Sequence, residues 1–384
     1  MDSHPKLRIA VLSRNFVATG GGAERYSIAL VEQLAQQHEI HVFAQTIAHQ
    51  HPSVTYHHVG TPLRRPRWIN QLYFATATWW ATRKGFDIVH SHENTWHGNV
   101  QTVHVLPVKH NLFYERHGLP RALRWLKVAT SPRLLAYLAL EKARYALRSP
   151  RRIVSVSRTL NDVMLQTYPR AASAMQFITP GIDAVPGLAT PAAKAAARVA
   201  LNLPLEGRCI LFVGNDFKKK GLPTLIPALA QLPSNIYVAV AGQSAQLPEM
   251  QRAAASAGLA GRIFFLGAVA TMNQAYSAAD SLVHPTLEDT YAMVVLEAMA
   301  HGLPVVVSAA KYCGIAADLQ DGVNALLVQN PRNVQELTQQ CRAMLDNSSL
   351  AKSLSSAALA FAKQHSWSNV AVAHEDIYKN IINK

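Results

Sequence analysis

The sequence predicts an α/β protein of two doubly wound, Rossmann-like domains, and three observations carry that expectation. The first is length, since 384 residues exceed what one hydrophobic core usually serves. The second is patterning: short apolar runs alternate with helix-length segments along the chain, as buried parallel strands covered by helices do. The third is the stretch FITPGIDAVPGLATPAAK, whose Pro and Gly spacing breaks both periodicities and marks a linker over residues 180–195. The boundary therefore falls at Asp183, giving domains 1–183 and 184–365.

The strands follow in order. In the first half the runs LRIAVLS, IHVFAQ, DIVHSH, NVQTVHV and RIVSVS place them at 7–13, 40–45, 87–92, 99–105 and 152–157. In the second half CILFVG, IYVAVAG, IFFLG, SLVHP, PVVVS and NALLV place them at 209–214, 236–242, 263–267, 281–285, 304–308 and 324–328. Ligands of such sheets bind beyond the carboxyl ends of the strands, and two sheets facing one another would share a cleft there.

Composition narrows the class. Hydrophobic residues make up 49% and charged residues 16%, enough apolar material for two cores, yet no run approaches the roughly 18 uncharged apolar residues of a spanning helix. The opening MDSHPKLRIA enters a strand-like stretch without the regions of a signal peptide, which predicts a cytosolic protein. Cys209, Cys313 and Cys341 stand far apart in no metal-ligand spacing and read as reduced core residues.

Charge is unevenly placed. Up to Asp183 there are 22 Lys and Arg against 10 Asp and Glu; beyond it there are 15 against 13. The basic half is expected to meet an anionic partner. Its cations gather beside aromatics in two places, Arg64, Arg65 and Arg67 with Trp68, Trp79 and Trp80, and the run from Lys109 to Arg152 around Trp125. Such interleaving suits a surface lying on the anionic inner face of the cytoplasmic membrane, and no nucleic-acid partner is expected.

Three segments could carry chemistry. Gly20, Gly21 and Gly22 precede a helix opening near Ala23, so free N–H groups and a bare backbone could meet a phosphate or a sugar. This is not the dinucleotide G-x-G-x-x-G, and the second strand ends in Ala44-Gln45 without an acid for a ribose, which disfavours an NAD enzyme. After the sixth strand, VGNDFKKKG puts Lys218, Lys219 and Lys220 where ammonium groups could neutralise a diphosphate. In HPTLEDTYAMVVLEAMAHG, Glu288 and Asp289 precede a helix whose N-terminus, around Ala292 and Met293, offers unpaired N–H groups to an anion. Glu297 follows on that helix, and the two carboxylates could accept hydrogen bonds from sugar hydroxyls. A flexible turn, a solvated lysine loop and a plain helix cap are the simpler readings of these segments.

Taken together, PTLEDTYAMVVLEAMAHGLPVV, GGAER and VGNDFKKKG resemble the signatures of glycosyltransferase family 4, most closely those of the lipopolysaccharide core glucosyltransferases. The resemblance runs to the HSW and IY of the final segment. It implies the GT-B fold, a helix over 366–384 packing back towards the first domain, a nucleoside-diphosphate sugar donor in the second domain, retention of anomeric configuration and no metal ion. It assigns Asp289 to donor-sugar hydroxyls, Glu297 to the ribose, Lys219 and Lys220 to the diphosphate, Gly21 and Gly22 to the loop reaching over donor and acceptor, and His104 to the transferred sugar. Without it, His104 reads as a satisfied strand histidine.

The match departs from the family at three points. Asp289 stands where Glu is usual, Thr290-Tyr291-Ala292 where G-F-G is usual, and Gly214-Asn215 where G-R is usual. The expected activity is transfer of a hexose from a UDP-sugar to a glycan or glycolipid acceptor in lipopolysaccharide or cell-surface polysaccharide synthesis. The alternatives are a non-catalytic nucleotide or polyanion binder and a sugar-nucleotide epimerase or hydrolase.

Overall fold

The computed structural model describes residues 6–17, 21–63, 65–114, 116–148 and 150–383. The chain divides into two compact units, Met1–Gly181 with Trp367–Lys384, and Ile182–Ser366. The final helix, Trp367–Ile382, thus belongs to the first unit, where it packs on the helix Gly22–Leu34.

The first unit contains strands β1 (Arg8–Leu12), β2 (Asn15–Val17), β3 (Glu39–Ala44), β4 (Thr46–Ala48), β5 (Val54–His58), β6 (Ile88–Ser91), β7 (Val100–Val103), β8 (Arg152–Ser155) and β9 (Met175–Phe177). Seven of them form one sheet in the order β5-β3-β1-β6-β7-β8-β9, and β2 and β4 pair separately. Every pairing between these strands is parallel. The inner strands are apolar because both faces are covered, as in β1, where Ile9, Ala10, Val11 and Leu12 are all buried. The sequence reading missed β2, β4, β5 and β9. These are short, and β5 (VTYHH) and β9 (MQF) lie at the sheet edges with polar, part-exposed residues, so neither shows a continuous apolar run.

The second unit contains β10 (Arg208–Val213), β11 (Ile236–Ala241), β12 (Ile263–Gly267), β13 (Ser281–His284), β14 (Val305–Ser308) and β15 (Leu326–Val328), paired in parallel in the order β12-β11-β10-β13-β14-β15. Its core gathers Ile210, Phe212, Leu225, Val238, Val283 and Val306, and all three free cysteines are buried in this unit. Burial pushes the thiols of Cys209 and Cys341 up to about 12, so both stay protonated.

Chain order reverses between β10 and β13, because β10 leads outwards to β11 and β12 while β13 returns to its other side. In doubly wound sheets this is the point where two neighbouring loops diverge and leave room for a ligand. The loops that follow β10 and β13 carry Lys218–Lys220 and Glu288–Asp289 respectively.

Candidate functional site

The lysine loop is shaped by three local restraints. Phe217 is buried as its anchor, and the Asp216 carboxylate accepts from the Lys219 N–H at 3.1 Å and the Gln246 side-chain amide at 3.0 Å. Gly221 then turns with φ +85°, and a Cβ there would lie 1.9 Å from the Pro285 carbonyl oxygen. Only glycine allows the loop after β10 to pass this close to the loop after β13. The Leu287 N–H donates to the Lys219 carbonyl at 2.8 Å, tying the two together.

This closeness pairs the charges. Lys219 Nζ meets Glu288 Oε1 at 2.6 Å on the exposed side, and Lys220 Nζ bonds Asp289 Oδ2 further in. The Lys220 and Asp289 side chains are only 21% and 16% exposed, so their attraction is less screened by water than that of the outer pair.

Asp289 is held at both oxygens. Oδ1 accepts from the Ala292 N–H at 2.9 Å and more weakly from Tyr291, while Oδ2 faces Lys220 and His284 Nε2, the latter at 3.3 Å. Burial opposes its ionisation, but the His284 hydrogen bond and the Lys220 charge outweigh burial and hold the carboxyl well below the usual range. An ionised carboxylate can only accept, so the shared proton sits on His284 Nε2. Burial lowers the histidine's own pKa, which keeps the ring neutral, with Nδ1 buried and without a hydrogen-bond partner. The backbone adds a third clamp: Asp289 N–H donates to Tyr312 O at 2.7 Å, and Gly314 N–H donates to Asp289 O at 2.9 Å.

The helix Met293–Ala300 opens directly after this clamp, with Ala292 as its N-cap at φ 74°, in the left-handed region. A non-glycine residue there is strained, and the strain is sustained because Asp289 fixes the Ala292 N–H. Glu297 lies along the helix and accepts from the buried Tyr276 hydroxyl at 2.6 Å. Gly302, with φ +68°, ends the segment just past the helix. Within the second unit, Lys219 and Lys220 thus meet Glu288 and Asp289, and Asp289 meets Ala292, while Met293 and Glu297 lie on the helix that follows. The sequence reading missed His284, Tyr276 and the 312–314 backbone. His284 ends the fully buried strand Ser281–His284, the usual place of a satisfied core histidine.

Gly21, Gly22 and His104 stand in the first unit. Gly21 caps the helix Gly22–Leu34 with extended backbone, one residue earlier than expected, and Gly20 lies outside the described residues. His104 follows β7. Its Nε2 is 2.9 Å from His92 Nδ1, and its ring sits edge-on to Tyr26 at 5.0 Å. His92 stacks on His90, whose ring bonds Thr102 and the Tyr378 hydroxyl, and His374 bonds Tyr26. Burial lowers His104 and His374 to about 3 and drives His90 and His92 well below the ordinary value, so the whole group is neutral at pH 7.

The basic half is only partly a surface. Arg144 is buried and donates to Gln101 Oε1 and the Thr102 carbonyl, and Arg151 is buried and donates to carbonyls of Gly98, Trp96 and Ala143. These two hold the chain together and do not belong to the docking face expected from sequence. Arg64 lies outside the described residues. What remains exposed includes the helix Gly118–Ala129, with Arg121, Lys127, Leu119, Leu123 and Leu126 all in solvent. No helix among the described residues is long and apolar enough to cross a membrane.

Known proteins align with both units. The profile described as Glycosyltransferase Family 4 matches residues 20–185, and that of Glycosyl transferases group 1 matches residues 193–361. A D-inositol 3-phosphate glycosyltransferase of Mycobacterium leprae is 33% identical over 211 residues, covering 53% of this chain and 48% of the relative. The lipopolysaccharide glucosyltransferase WaaG of Escherichia coli is 27% identical over 221 residues, covering 56% and 58%. The chain thus spans about half the length of these curated relatives. Among solved structures, a WaaG described as involved in lipopolysaccharide biosynthesis superposes with a TM-score of 0.82 at 21% identity, covering 96% of this chain and 99% of the other. Anabaena HepE in complex with UDP and glucose superposes at 0.75 and 18%, covering 96% and 98%. At these identities the superpositions establish a common fold.

Proposed function

The chain belongs to glycosyltransferase family 4 and has the GT-B type of fold, and from that premise we propose that it moves a hexose from a UDP-sugar to a hydroxyl of a glycan or glycolipid. The observation that carries this reading is the convergence of Lys219 and Lys220 with Asp289 at the switch point between β10 and β13. A donor diphosphate entering there would take over the ammonium groups now neutralised by Glu288 and Asp289. Asp289, ionised and clamped at its backbone, would be left to accept from hydroxyls of the sugar. Glu297, already an acceptor for Tyr276, suits the ribose.

The reaction proposed is retaining, without a metal ion and without a protein nucleophile. The leaving diphosphate takes the acceptor proton on the face from which it departs, and Lys219 and Lys220 stabilise the charge that develops on it. Acceptor binding is assigned to the first unit, whose exposed basic and apolar helix Gly118–Ala129 suits the anionic inner face of the cytoplasmic membrane. A phosphorylated lipid-linked saccharide, such as a lipopolysaccharide core, fits that location.

The test is release of UDP from UDP-glucose, UDP-galactose or UDP-N-acetylglucosamine with and without a lipopolysaccharide-core acceptor. The reading expects acceptor-dependent release. Release at the same rate without acceptor would favour a hydrolase, and conversion of the donor into its epimer would favour an epimerase.

A further inference from the structure

The first unit also contains a cavity of about 660 Å³ that the transfer reaction does not use. Its volume falls within the range of small-molecule sites. Its walls are almost wholly apolar: Phe113, Trp125, Leu138, Tyr145 and Tyr168 supply rings and methyl groups from three helices and the segment following Thr167. The Phe113 and Trp125 rings stack at 4.6 Å, and Trp125 remains half exposed.

The Tyr168 hydroxyl of these walls and the neighbouring Glu141 carboxylate are already engaged. Glu141 accepts from the Val108 and Lys109 N–H groups at 2.5 and 3.0 Å and from the Tyr168 hydroxyl at 2.5 Å. Cations line the same cavity. Lys109 holds its ammonium 3.0 Å from the Thr167 carbonyl and 4.9 Å from the Tyr168 ring, and Lys142 and Arg170 are exposed lining residues.

A sugar would find few hydrogen-bond partners on such walls, and its desolvated hydroxyls would disfavour entry. A hydrocarbon chain would gain the burial, and an anionic head on the same molecule would meet the three cations. We propose that this cavity takes an acyl chain of an anionic membrane lipid, with its head group at Lys109, Lys142 and Arg170. The proposal rests on the membrane reading above. It adds to surface adsorption a specific site that withdraws one lipid chain into the protein.

The probe is bromoundecanoate with a terminal bromine, used as a monomer below its micelle concentration and without vesicles. Heavy-atom quenching should be saturable, and the Trp125→Phe variant should lose most of it. Exchanging the exposed cations, Lys142→Glu with Arg170→Glu, should weaken binding about tenfold without changing the circular dichroism spectrum. The neutral bromoundecanol should bind about tenfold more weakly than the acid. Quenching that does not saturate, or that is equal for acid and alcohol, overturns the proposal. Sedimentation of the protein with anionic vesicles in the absence of saturable quenching also overturns it while preserving membrane docking. Saturable quenching without sedimentation overturns membrane docking and the membrane as source of the lipid.

Discussion

Lys220 and Asp289, 69 residues apart in sequence, form a part-buried ion pair across the switch point of the second sheet. Sequence reading alone gives the lysine a purely catalytic part, and its replacement would then leave the fold untouched. The pairing changes that expectation. Lys220→Ala should lower turnover by about 10²–10³-fold and also destabilise the protein by about 1–3 kcal/mol, because Asp289 loses its compensating charge. Lys219→Ala breaks an exposed pair and should cost less than about 1 kcal/mol. Steady-state kinetics with denaturant midpoints for both variants check this. Normal turnover in both and in the double variant would contradict the assignment.

Glu297→Gln should raise the donor KM by about 10-fold or more with turnover at saturating donor little changed. A ribose contact is equal in ground and transition states, so its loss appears as binding. The glutamine can still accept from Tyr276, which keeps the fold intact. A fall in saturated turnover with unchanged KM would place Glu297 in the chemistry instead.

Ala292 provides a test of local strain. At φ 74° its Cβ costs about 1–2 kcal/mol, so Ala292→Gly should be neutral to stabilising by about 1 kcal/mol, and Ala292→Val clearly destabilising. Chemical denaturation distinguishes them. Loss of stability in the glycine variant alone would refute the strain.

The histidine group of the first unit predicts acid sensitivity. His104 and His374 are held near 3, whereas an unfolded histidine titrates near 6.5, so the unfolded chain binds more protons between these values. Stability is therefore complete above about pH 6.5 and is lost as pH falls towards 3, by about 2 kcal/mol per histidine at pH 5. All six tryptophans, Trp68, Trp79, Trp80, Trp96, Trp125 and Trp367, belong to this unit, so their fluorescence reports on it alone. The fluorescence midpoint in urea should be lower at pH 5 than at pH 7.5. Equal midpoints would mean that these rings are accessible to protons in the folded state.

The legible part of the architecture was what burial writes into sequence. Strands such as β11 and β14 are covered on both faces and read as continuous apolar runs, whereas β5 and β9 are edge strands whose composition resembles that of loops. In the site, Lys220, Asp289 and Glu297 were visible because glycines and caps mark where loops meet helices. His284 was not, since an identical histidine could end any buried strand. The apolar cavity was also hidden: Phe113, Trp125 and Tyr168 meet only after three helices have packed. Arg144 and Arg151 looked like surface charge, because sequence does not reveal which carbonyls will bury a guanidinium.

Calorimetric titration shows whether the Lys–Asp cluster after β10 and β13 receives the diphosphate of a sugar-nucleotide donor. Wild type, Lys220→Ala and Lys219→Ala would each be titrated with UDP-glucose, UDP-galactose, UDP-N-acetylglucosamine and GDP-mannose. At least one donor should bind wild type saturably, and Lys220→Ala should weaken that binding about tenfold or more. Absence of binding by all four, or equal affinity in wild type and both variants, would rule out this cluster as the diphosphate site.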